Sequence, residues 1–79
     1  MREKKPCVIV TFHTTAEAMA VERACREEKL EGRLIPAPRA LSSDCGIAWR
    51  GAAESRAALE KLLSDKKIEF AGIYDMELY

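Results

Sequence analysis

The chain has 79 residues, 48% of them hydrophobic and 33% charged, and its thirteen basic and thirteen acidic side chains cancel. That composition excludes a disordered chain, and the zero balance removes any global pull toward nucleic acid or an anionic membrane. One domain spanning residues 1–79 is expected, small enough to bury only about 60–65% of its unfolded surface.

Three cysteines, Cys7, Cys25 and Cys45, cannot all pair within one chain and are too scattered for a disulfide framework. Free thiols indicate a reducing compartment. The start MREKKP is basic, but the apolar run behind it is too short for a signal-peptide core, and no stretch reaches the length of a membrane span. A cytoplasmic protein is the expectation.

In chain order, Cys7–Phe12 (CVIVTF) is rich in β-branched residues and apolar on both faces, as a central strand is. Thr14, with Glu17 three residues later, forms a capping box that opens a helix. Ala18, Val21 and Cys25 make its apolar stripe with Ala24 beside them, and Gly32 supplies the stop. Arg33–Ile35 is a short strand cut by Pro36, hence an edge strand. A loop over Pro36–Asp44 leads to a strand over Gly46–Arg50, which Gly51 breaks. A second helix runs from Ala52 to Ser64 with Leu59, Leu62 and Leu63 inward. A last strand over Ile68–Tyr74 continues toward Tyr79, with a bulge at Gly72.

The order β-α-β-β-α-β, with right-handed crossovers, gives an α+β ferredoxin-like plait: two helices on one face of a four-stranded antiparallel sheet. Strand one ends, helix one begins and the hairpin between strands two and three turns, all at one end of the sheet. Cys45 therefore neighbours the N-terminus of helix one, whose unpaired N–H groups favour a thiolate. Arg39 in the same loop and His13 just before the cap add a cation and a base. Thr14, Thr15, Ser42 and Ser43 offer hydroxyls, and Gly46 removes a side chain beside the sulfur. The same spacing fits an inert small residue at a strand end, so both readings of Cys45 stand on spacing alone. Cys25 belongs to the core. Cys7 lies at the opposite end of the sheet and is structural. Arg50 and Trp49 serve the sheet.

The run CVIVTFHTTAEAMAVERACREEKLEGRLIPAPRALSSDCGIAWR, residues 7–50, carries three motifs. They are F-x-[ST]-T at Phe12–Thr15, P-x-P-R at Pro36–Arg39, and S-x-C-G at Ser43–Gly46. It resembles the selenium/sulfur carrier-like family, a small bacterial domain found alone or fused to a TusA-type sulfur-carrier domain. The resemblance implies that Cys45 holds sulfur or selenium as a persulfide or selenosulfide and passes it to a partner protein. Such a carrier needs no organic cofactor.

Other classes fit less well. One histidine, no C-x-x-C and dispersed cysteines argue against zinc. RNA-recognition domains share the strand order, but CGIAWR lacks their [KR]-G-[FY]-[GA]-F pattern. No carboxylate pair, phosphate loop or triad marks an independent enzyme. The rival is a non-catalytic module. One alternating set of strand one, Cys7-Ile9-Thr11 or Val8-Val10-Phe12, faces away from the helices and is too apolar to leave wet. A homodimer, another protein or a small ligand would cover it.

Overall fold

A computed structural model of the protein describes residues 3–41 and 45–78. The expected order is observed: β1 (Lys5–Thr11), α1 (Thr15–Glu27), β2 (Gly32–Pro36), β3 (Ile47–Ala52), a 3-10 turn (Ala53–Ser55), α2 (Arg56–Asp65) and β4 (Gly72–Leu78). The sheet runs β2-β3-β1-β4 with every neighbouring pair antiparallel, which is the ferredoxin-like plait. Alternation along β1 turns Val8, Val10 and Phe12 toward Ala18, Val21 and Cys25 of α1 and Leu59, Leu62 and Leu63 of α2, with Trp49 of β3 among them. Each large side chain buried there contributes about 1.5–3 kcal/mol.

Gly32 does not stop α1. The helix ends at Glu27, and Lys29 takes the left-handed position at φ 59° while the Leu30 N–H reaches back to the Cys25 carbonyl at 2.8 Å. α2 ends the same way, with Lys67 at φ 52° and the Ile68 N–H on the Leu63 carbonyl at 3.0 Å. In both, the hydrophobic residue after the lysine packs against the core, completing a Schellman motif. This corrects the last strand. Ile68 is used by the helix end, so β4 begins only at Gly72 and pairs without a bulge from Thr11–Gly72 to Lys5–Leu78. Because neither lysine is at ease with positive φ, Lys29→Gly and Lys67→Gly are each expected to add about 0.5–1 kcal/mol. Thermal unfolding should show a Tm higher by about 2–8 °C for each.

Gly51 does not break β3. It pairs with Val8 on one side and Gly32 on the other, and the Trp49 indole lies across both glycines where their side chains would be. The strand therefore extends to Ala52, and α2 starts at Arg56 instead of Ala52. β1 starts at Lys5, two residues earlier than expected. Pro6 fits there because the β1–β3 ladder begins only at Cys7.

Cys7, Ile9 and Thr11 form the set facing away from the helices, and they are 2%, 0% and 1% exposed. The chain itself covers Cys7 and Ile9: Ile35, Ala37 and Leu41 pack onto their cluster from one side, Met76 and Leu78 from the other. Arg50 adds to this cover. Its side chain crosses β1 so that Nη2 donates to the Leu78 carbonyl at 3.3 Å.

Candidate functional site around Cys45

The β1–β3 ladder ends with Thr11 opposite Ala48, so Phe12–Thr14 and Cys45–Ile47 leave by the same end of the sheet. β2 closes there too, with Pro36 opposite Ile47 and the Ala37 N–H donating to the Gly46 carbonyl at 3.0 Å. Strand order alone thus brings Cys45 to the end where α1 starts.

Cys45 is the half-buried member of the three cysteines; Cys7 and Cys25 are buried. Its Sγ sits 3.5 Å from the Ile47 carbonyl, which accepts its S–H, and the side chain packs against the helix-side core that contains Phe12 and Ala18. Gly46 follows at φ +74°, and a Cβ built there would meet nothing within 4 Å. Backbone conformation, not crowding, calls for glycine at this position. Gly46 also borders a shallow apolar hollow of about 330 Å³ formed with Leu34, Ile35, Pro36 and Ile47.

Thr14 is the N-cap of α1, its Oγ1 accepting the Glu17 N–H at 3.2 Å, and Thr15 is the first helical residue. The other half of the expected capping box is displaced by one residue. The Glu17 carboxylate accepts the backbone N–H of His13 at 2.7 Å, and the His13 Nδ1 lies 3.3 Å from each carboxylate oxygen. With Nδ1 held by Glu17, Nε2 is the ring atom left for other partners. Glu17 escaped the sequence reading as anything beyond a cap, and the T-x-x-E spacing was its only signal.

Glu17 is also an anion already at the positive end of α1, where it shares the field available to a thiolate. The His13 N–H, above all, holds its carboxyl below the usual carboxylate range. A depressed carboxyl contributes stability that is present above its unfolded value of 4.5 and is lost as pH falls through the folded one. Glu17→Gln is therefore expected to lessen the loss of stability on acidification below about pH 5, as read from urea midpoints across pH.

Arg39 is exposed on the loop that joins this end of the sheet. Ser42 and Ser43 lie outside the described residues. The structure thus groups His13, Thr14 and Thr15 with Glu17, and Cys45 and Gly46 with Ala37, at one sheet end. Thr11, last in β1, buries its hydroxyl there with no hydrogen-bond partner among the described residues, which costs about 1–3 kcal/mol. Among the described residues, His, Cys, Asp and Glu form no group of three able to hold a metal ion, and no helix is long and apolar enough to cross a membrane.

Residues 7–75 match the family described as "Putative Se/S carrier protein-like". The chain belongs to this family. The match takes in most of β1, both helices, the motif-bearing loop and most of β4, so Se/S carrier-like membership covers the sheet end just described. No curated protein and no solved structure matches the chain. A carrier family implies a protein partner in transfer.

Proposed function

We propose that this protein carries sulfur or selenium on Cys45 and hands it to a partner protein. The observation that supports the reading most is that, of three cysteines in a Se/S carrier-like chain, Cys45 is the one not buried. In the transfer, the Cys45 thiolate attacks the outer sulfur of a donor persulfide. The donor S–S bond breaks, the donor thiolate leaves, and Cys45 becomes the persulfide. An acceptor thiolate then attacks that outer sulfur, and the Cys45 thiolate is the leaving group. A selenosulfide exchanges in the same way.

The supporting roles belong to the same proposal. The Thr15 and Ala16 N–H groups of the first turn, the Arg39 guanidinium and the His13 ring serve the anion that each exchange creates or releases. Gly46 and the apolar hollow that it borders offer a second protein a place to approach beside Cys45. Ser43 belongs to the same motif. No organic cofactor enters these steps. The reducing cytoplasm suits a carrier that must be returned to the thiol.

The rival, a non-catalytic interaction module, drew its force from an uncovered apolar sheet face. Cys7 and Ile9 lie under their own chain, so a homodimer has less to cover than the strand pattern suggested. Incubation with a cysteine desulfurase and cysteine tests the proposal. About one labile sulfur per chain is expected by cyanolysis, and none for Cys45→Ser. No labile sulfur on the native chain, or an equal amount on the variant, would contradict it.

A further inference from the structure

β2 is an edge strand, paired with β3 on one side only, and it leads into the loop that ends at Cys45. The Ala37 N–H bond to the Gly46 carbonyl fixes which residues of this ladder exchange hydrogen bonds. Such pairs alternate, so Arg33 and Ile35 turn their backbone groups to β3, while Gly32 and Leu34 each turn an N–H and a C=O outward. Among the described residues, no backbone group outside the sheet pairs with either of them. An edge of this kind is a template for another strand. Pro36 has no N–H to give and ends the template, at the apolar hollow that Leu34 and Pro36 share with Gly46 and Ile47.

Charge selects what fits. Arg33 and Arg39 are exposed, and neither forms an ion pair among the described residues. Glu31 is the one carboxylate residue between positions 31 and 41. β4, the other edge, carries exposed Asp75 and Glu77 and no cation. An acidic strand is therefore drawn to β2 and repelled from β4. We propose that the protein donating sulfur to Cys45 docks on β2. An extended, acidic segment of the donor adds as a strand beside Gly32–Leu34, sets an apolar side chain in the hollow, and so brings its own cysteine to Cys45. This inference rests on the carrier reading of Cys45.

The test compares a protein donor, a cysteine desulfurase supplied with cysteine, with cysteine persulfide, a donor too small to use the edge. In excess desulfurase, amide exchange at Gly32 and Leu34 should slow at least about fivefold, while Arg33 and Ile35, already bonded to β3, stay unchanged. Arg33→Glu should load from the desulfurase at least about fivefold more slowly, yet at the native rate from cysteine persulfide. A glutamate opposite Arg50 removes a like-charge pair, so the variant keeps its fold. The proposal is overturned if the Gly32 and Leu34 amides gain no protection, or if Arg33→Glu loads from the desulfurase as the native chain does. Equal slowing with both donors overturns it too, because Arg33 would then act on the thiol and not on docking. Protection of the two amides that rises with the concentration of the chain alone would assign the edge to a second copy and overturn it as well. A native chain that takes sulfur from neither donor would instead defeat the carrier reading, and this inference with it.

Discussion

Iodoacetamide near neutral pH is expected to modify Cys45 at least about 100-fold faster than Cys7 or Cys25, a gap that corresponds to about 2.7 kcal/mol of opening free energy. Cys7 and Cys25 are 2% and 1% exposed, so a reagent reaches them only when the sheet or the α1 packing opens. Cys25 is disfavoured twice over. Burial, with help from the Glu22 carboxylate, pushes its thiol up to about 11, and the thiol is not the nucleophile. Peptide mapping of partly alkylated protein reads the three rates directly, and in denaturant they should converge. Comparable rates in the folded chain would remove Cys45 from its special place. The Cys25 shift also predicts alkaline behaviour. An acid whose folded pKa lies above its unfolded value stabilises fully below the unfolded value, so that contribution fades between about pH 9.0 and 11.

Gly51→Ala is expected to cost about 1–3 kcal/mol despite adding a single methyl group. The new Cβ would overlap the Trp49 ring and approach the Glu31 carbonyl at 3.3 Å. Trp49 is 1% exposed among core side chains and has nowhere better to go. Gly32 shares the constraint from across the β2–β3 ladder, where a Cβ would also lie 2.6 Å from the Arg50 carbonyl. If steric overlap is the cause, shrinking the ring should relieve it. Trp49→Leu alone leaves a cavity, but Gly51→Ala should then cost less in the Trp49→Leu background, with a coupling of about 0.5 kcal/mol or more. Urea midpoints at constant m measure each corner of that cycle. Additive costs would mean that Gly51 matters through backbone freedom instead.

Local chemistry that is written in adjacent residues was legible in the sequence. The β1 alternation, the Thr14 cap, the Ala18-Val21-Cys25 stripe and the arrest of β2 at Pro36 follow from periodicity and from side chains that act on their own backbone. From these the strand order, and hence the shared sheet end of Cys45 and α1, could be deduced. What could not be read depends on residues distant in sequence. Gly51 signals a turn by its own propensity, and only the Trp49 ring laid over it and Gly32 turns it into a strand residue. Lysines in left-handed helix caps run against residue preference and are held by Leu30 and Ile68 reaching the core. The cover over Cys7 and Ile9 comes from Ile35, Ala37, Leu41, Met76 and Leu78, and Arg50 adds to it by crossing β1 to Leu78, a contact between residues 28 positions apart. The clamp of Glu17 on His13 differs from the expected capping box by one residue, a shift below what a motif resolves.

The most direct test is to find which cysteine bears the sulfur. The native chain, loaded by a cysteine desulfurase and then alkylated, should yield by tandem mass spectrometry a Cys45 peptide heavier by one sulfur atom, with the Cys7 and Cys25 peptides unchanged. An extra sulfur on Cys7 or Cys25, or on no peptide, would contradict a carrier role for Cys45.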